Sequence, residues 1–124
     1  MNSLPKNHNL QNGLYTANKY KAKKESYNGI VYHSKREAEF AIELDWRLKA
    51  KDIKSWERQI KIDIQVNNVH ICNHFIDFEI THKDDSIELI EVKGFETDVW
   101  ILKRKLLEAT FLRENPQITY TVVR

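Results

Sequence analysis

From residue 59 to 66 apolar and polar residues alternate strictly. Ile60, Ile62, Ile64 and Val66 fall on one side, and Gln59, Lys61, Asp63 and Gln65 on the other. A period of two predicts a half-buried strand. Asn67-Asn68 suits a two-residue hairpin turn, because asparagine tolerates positive φ, and the return strand is expected over Val69–Thr81. After a polar turn, His82-Lys83-Asp84-Asp85, a third strand is expected over Ser86–Lys93, apolar enough to be central in its sheet. A last strand, Ile118–Val123, is rich in β-branched residues.

Two stretches switch to a helical period. Ser34-Lys35-Arg36-Glu37 is a capping-box pattern that opens a helix running to about Ala50. Its core stripe would be Glu37, Ala41, Leu44 and Leu48, with Glu43 and Arg47 at the spacing of a surface ion pair. Thr97 or Asp98 would cap a second helix lasting to about Glu114, with Val99, Leu102, Leu106 and Ala109 buried and Asn115-Pro116 as the stop. Residues 51–58 read as a polar loop with Ile53 and Trp56 as core anchors, and residues 27–33 as a turn at Asn28-Gly29 followed by a short extended piece. Helix, three strands, helix, strand is an α/β order. The third and last strands are joined through a helix, so they are expected to lie parallel.

Composition narrows this picture. A chain of 124 residues, 41% hydrophobic and 31% charged, is expected to form one globular domain, here residues 27–124, behind a flexible basic arm of residues 1–26. No apolar run reaches membrane-spanning length, and the polar N-terminus lacks the apolar core of a signal peptide. With Cys72 as the single cysteine, a reducing cytoplasm is expected. Residues 1–36 carry seven Lys/Arg against one acid, while residues 37–124 carry thirteen against seventeen, so the net +2 hides a basic arm on an acidic body. Such an arm can hold a polyanion, its alternative being a solvated tail. In it Lys19, Lys21, Lys23 and Lys24 alternate with Tyr15, Tyr20 and Tyr27, a mixture suited to neutralising phosphates and stacking on bases.

Charged residues also interrupt the two most apolar strands. Asp77 sits among Phe75, Ile76 and Phe78, and Glu91-Val92-Lys93-Gly94 follows Ile87, Leu89 and Ile90. Strand alternation puts Glu91 and Lys93 on one face, about 6–7 Å apart. Two carboxylates on adjacent strands can share a hard cation such as Mg²⁺, and a lysine beside it can orient water and offset charge. The plainer reading is an exposed strand end bearing solvated charges. Glu37 likewise has two readings, helix cap or inward-facing carboxylate. His70-x-Cys72-x-His74 puts three zinc-capable side chains on one strand face, but structural zinc needs a fourth ligand, for which His33 or His82 would have to serve.

Asp77, thirteen intervening residues and then Glu-x-Lys, in this order of elements, resembles the PD-(D/E)XK nuclease superfamily. The resemblance extends to a phage-associated family of small nuclease-like proteins, through Gly29-Ile30, Tyr32, Ser34-Lys35-Arg36-Glu37-Ala38-Glu39, Arg58-Gln59, Asp77-Phe78, Glu91-Val92-Lys93-Gly94, Thr97 and Lys103 to Lys105, and spans about residues 18–112. It implies a restriction-endonuclease-like core with a mixed sheet flanked by helices. It also implies metal ligands at Asp77, Glu91 and the Val92 carbonyl, a catalytic lysine at Lys93, and a metal-binding acid at Glu37, with Gln59 holding the site. The superfamily's proline before the first aspartate is Ile76 here. The expectation is a Mg²⁺-dependent endodeoxyribonuclease, with Mn²⁺ able to substitute. DNA would be gripped by Lys19, Lys21, Lys23, Lys24, Lys35, Lys103 and Lys105. Small size, the arm and an expected homodimer suit a Holliday-junction resolvase. The alternative is a non-catalytic DNA-binding or interaction protein that keeps the fold.

Overall fold

A computed structural model describes residues 25–124. The arm lysines Lys19, Lys21, Lys23 and Lys24 lie outside the described residues. The described chain is mixed α/β, with a short hairpin, a four-stranded mixed sheet and two main helices.

The hairpin pairs β1 (Glu25–Tyr27) with β2 (Ile30–Tyr32), so regular structure begins two residues inside the stretch expected to be arm. Its turn is at Asn28-Gly29 as expected, with φ 53° and 76°, the left-handed pair that a two-residue turn requires. Helix α1 (Lys35–Lys49) starts where Ser34 Oγ accepts the Glu37 N–H at 3.1 Å. The Glu37 carboxylate reaches back to the His33 N–H, not to that of Ser34. Ala38 and Ala41 are small enough to let α1 lie close on the sheet, where it packs with Leu44, Tyr32, Ile53, Phe78, Ile80 and Ile90. Asp45 ties three elements together, accepting from Tyr27 Oη at 2.5 Å and Trp56 Nε1 at 3.0 Å. Two expectations for α1 fail. Leu48, in the last turn, is exposed, and Arg47 pairs with Asp52 beyond the helix end instead of with Glu43.

Strand β3 (Ser55–Val66) begins four residues before the expected start, so Trp56, Glu57 and Arg58 belong to the sheet and not to a loop. It pairs antiparallel with β4 (Val69–Thr81) through a turn at Asn67-Asn68, both at positive φ. Val66, next to that turn, has run past the core and is exposed. Strand β5 (Ile87–Val92) pairs antiparallel with β4 and parallel with β6 (Thr119–Val123), which confirms β5 as central and the parallel crossover. Leu89 and Ile90 are buried on opposite faces of β5.

The long β3–β4 ribbon turns over at its middle. Arg58 lies over the Tyr32 ring on the α1 side, whereas Ile60 packs in the cluster of the other face. Phe78 belongs to the α1 side and Ile76 to the other. Residues two apart on a regular strand share a face. These do not, because Gln59 adopts φ 54° and breaks the ladder between the pairs Arg58–Phe78 and Ile60–Ile76. Asp77 is the residue across from that break.

Helix α2 (Asp98–Ala109), capped by Thr97, covers the other face. It buries Trp100 and Leu107, while Val99 and Leu102 are exposed by 65% and 59%, so its inner face is rotated from the expected stripe. The helix also stops earlier than expected. Thr110, at φ −116° and ψ −83°, interrupts it, and a single turn, α3 (Phe111–Glu114), follows. No helix among the described residues is long and apolar enough to cross a membrane.

Candidate active site

The β4–β5 ladder ends at the pair Phe78–Ile90. Asp77 and Glu91 are the next residues beyond that pair, and Glu91 lies within electrostatic reach of Asp77. The backbone bond that would continue the sheet is replaced by a side chain, since Asp77 Oδ2 accepts the Val92 N–H at 2.8 Å. Val92 thus engages the site through its N–H.

Glu37 enters from α1, 3% exposed. Its carboxyl is close enough to that of Asp77 to act on it electrostatically. Burial first, then the charge and hydrogen bond of Glu37 and the charge of Glu91, push Asp77 well above the usual carboxylate range, against the pull of the Val92 N–H. Like charges in one site produce this.

Glu91 is arranged differently. Its Oε2 receives His74 Nε2 at 2.6 Å and Tyr120 Oη at 2.6 Å, and its Oε1 receives Trp100 Nε1 at 3.0 Å. Burial pushes Glu91 up, but the three donors more than offset it and hold the carboxyl below its ordinary value. Because an ionised carboxylate only accepts, the proton on this side of His74 is on Nε2. Burial, and then the bond to Glu91, push the Tyr120 hydroxyl far up, so it remains a donor at any working pH. Three of roughly four acceptor positions on Glu91 are thus occupied by the protein itself.

Lys93 is half-buried. Its N–H donates to the Val123 carbonyl at 2.8 Å, its carbonyl accepts from Arg36 Nη1 at 3.4 Å, and its Nζ lies 5.3 Å from the centroid of the Trp100 ring. Gln59 is buried across from Asp77. His33 is within electrostatic reach of Glu37, Arg58 and Lys93. Burial, then Arg58 and Lys93, outweigh Glu37 and hold its imidazole below the ordinary histidine value.

The structure therefore brings together Glu37, Asp77 and Gln59, with Glu91 and Lys93 adjoining. Of the expected DNA contacts, Lys35 and Lys105 are exposed. Lys103 is not free, because its Nζ is bonded to the Asn73 carbonyl at 3.1 Å. The one-face arrangement of His70, Cys72 and His74 is absent. A bulge at Ile71, between the pairs Ile64–Cys72 and Gln65–His70, turns His70 away to pair with Asp63, while His74 faces inward to Glu91. Among the described residues no three His, Cys, Asp or Glu side chains converge as a complete metal-ligand set. Reasoning from sequence missed Trp100 and Tyr120 as partners of Glu91. It also missed Arg58, although Arg58 adjoins Gln59 in the recognised pattern.

Residues 17–122 match the family model described as a protein of unknown function, DUF1064. The chain belongs to DUF1064. That span takes in Glu37, Gln59, Asp77, Glu91 and Lys93, so every candidate residue of the site lies within the DUF1064 region. No curated protein and no solved structure matches the chain.

Two neighbouring carboxyls, Asp77 and Glu37, are the oxygen donors the site could offer a hard divalent cation. Mg²⁺ is commonly bound through one or two carboxylates with water completing its shell. Glu91 contributes charge nearby, and would contribute an oxygen directly only at its one remaining acceptor position.

Proposed function

We propose that this DUF1064 chain is a metal-dependent endodeoxyribonuclease of phage type with a restriction-endonuclease-like core. The observation that carries the reading is the buried Asp77–Glu37 carboxyl pair, set beside Glu91 and Lys93 where β4 parts from β5. Asp77 and Glu37 would hold Mg²⁺ or Mn²⁺. When bound, the ion supplies a more acidic water and neutralises charge on the scissile phosphate. The chain's own groups do the rest. Asp77 and Glu37 orient the attacking water, and one of them takes its proton as the water oxygen bonds to phosphorus, while the bond from phosphorus to the leaving sugar oxygen breaks and that oxygen takes a proton from solvent. Lys93 Nζ swings from the Trp100 ring to the phosphate oxygens, where it offsets the charge that grows as the water adds. Glu91, clamped by His74, Trp100 and Tyr120, fixes the strand end from which Lys93 projects. Lys35, Lys105 and the arm lysines track the phosphate backbone. A homodimer working in the cytoplasm would supply the two incisions that a branched junction needs.

The test is a cleavage panel of four-way junction, flap, nicked and linear DNA, with Mg²⁺ or Mn²⁺ and with EDTA. Cleavage is expected to stop with EDTA, and to fall at least about a hundredfold in Asp77→Ala and in Lys93→Ala, the scale of losing one electrostatic group from a catalytic site. Undiminished metal-dependent cleavage by either variant would refute the assignment. A second reading, a non-catalytic DNA-binding protein, is favoured by the saturation of Glu91 with protein donors. DNA binding that is indifferent to metal, with none of the four substrates cut, would select it.

A further inference from the structure

Arg58 carries a positive charge into the interior, where no described carboxylate is bonded to it and Tyr32 is its neighbour. It is 3% exposed, and Nε, Nη1 and Nη2 are all without a partner. Its contact is with the Tyr32 ring, 4.7 Å from the guanidinium carbon to the centroid. A desolvated contact of that kind offsets only part of the cost of burying an unpaired ion. Three other buried side-chain nitrogens are likewise unpartnered among the described residues, namely His33 Nε2, His74 Nδ1 and Arg104 Nε. His33 lies within electrostatic reach of Arg58 and of Glu37, and Glu37 within that of Asp77. Of these, Arg58 and His33 stand beside the carboxyl pair, the His33 N–H donating to Glu37 Oε1 at 3.1 Å. The first 24 residues bring no remedy in charge, for they contain five lysines and no Asp or Glu.

We propose that Arg58 and His33 form an oxyanion-binding subsite beside Asp77 and Glu37, and that its occupant is a phosphate group. The guanidinium offers a planar fork matched to two phosphate oxygens, and His33 Nε2 offers a third contact. The left-handed backbone at Gln59 acquires a purpose on this account. It is the turn that places Arg58 on the Tyr32 side while Ile60 stays in the opposite cluster. The identity of the natural occupant as a nucleic-acid phosphodiester rests on the nuclease reading. The anion site itself rests on Arg58.

The full-length chain, labelled with ¹⁵N and kept in EDTA, is titrated first with inorganic phosphate and then with a dinucleoside monophosphate. The Arg58 Nε–Hε signal is assigned by its loss in Arg58→Lys. A saturable shift of that signal is expected with both ligands, tighter for the dinucleotide if a phosphodiester is the natural occupant. Arg58→Lys should weaken phosphate binding about tenfold or more, the equivalent of one charged hydrogen bond. His33→Gln should weaken it severalfold, and serves if Arg58→Lys does not fold. An Arg58 signal that does not respond to either ligand in the folded wild type overturns the proposal, as does a folded Arg58→Lys that binds phosphate normally. Because no metal and no cleavage enter this measurement, the two ideas fail separately. A protein that binds phosphate at Arg58 yet cuts no DNA keeps the subsite and loses the hydrolase reading. One that cuts DNA with a silent Arg58 does the reverse.

Discussion

Tyr120→Phe isolates one of the three bonds that clamp Glu91. The hydroxyl donates to Glu91 Oε2 at 2.6 Å, and Glu91 is only 2% exposed, so no water stands ready to replace it. The ring, which packs against the cluster under α2, is unchanged by the substitution. What is lost is a hydrogen bond to a buried charge, about 1.5–3 kcal/mol. His74 and Trp100 stay in place and keep the carboxylate from being stranded, so the middle of that range, about 2 kcal/mol, is the expected loss. Urea unfolding followed by tryptophan fluorescence, in EDTA, measures it. With a slope of roughly 1–3 kcal/mol per molar urea, the midpoint should fall by about 1 M. A change smaller than about 0.5 kcal/mol, the range of an inconsequential surface substitution, would mean that Glu91 is not held as a buried, hydrogen-bonded anion. The assigned role of Glu91 as a fixed strut behind Lys93 would then fail with it.

Three further outcomes follow from the geometry. Leu107→Ala should cost about 2–5 kcal/mol because Leu107 is fully buried, whereas Leu102→Ser should stay within about 0.5 kcal/mol; chemical denaturation of both variants checks the face that α2 buries, and equal losses would contradict it. Gln59→Gly removes a side chain from a left-handed position that costs about 1–3 kcal/mol for a non-glycine residue, and glycine's own flexibility offsets about 0.5–1 kcal/mol of that relief. Its melting temperature should therefore hold or rise while cleavage falls, and a clear drop in melting temperature would make Gln59 a packing residue. Asp63 is held below the usual carboxylate range by Gln65 first and then by His70. Its contribution is therefore present above its unfolded value, about 3.9, and is lost as pH falls through the lower folded value. Thermal melts between neutral pH and acid should show a shallower acid-side decline for Asp63→Asn than for the wild type, and identical slopes would remove the pairing with His70.

Much of this protein was legible in one dimension. The Asn28-Gly29 and Asn67-Asn68 turns, the Ser34 cap, the alternation from Ile60 to Ile64 and the parallel partnership of β5 with β6 follow from local rules. Turn chemistry, capping and a two-residue period act over a few neighbouring residues. The juxtaposition of Asp77 with Glu91 was legible too, since an antiparallel register brings one near the other. What stayed hidden depended on distant partners. Residues 98–109 carry apolar side chains on more than one side, Val99 and Leu102 on one and Trp100 and Leu107 on another, so periodicity alone does not choose the inner face. Only in the packed molecule does the Trp100 indole find Glu91 and set the helix's rotation. The cage around Glu91 draws His74, Trp100 and Tyr120 from three separate elements, and a buried carboxylate tells the chain nothing about which donors will reach it. The same holds for Arg58. Its sequence position reads as an ordinary polar residue before a strand, and it is the left-handed turn at Gln59, imposed by two sheet faces that must each be filled, that carries its charge inside.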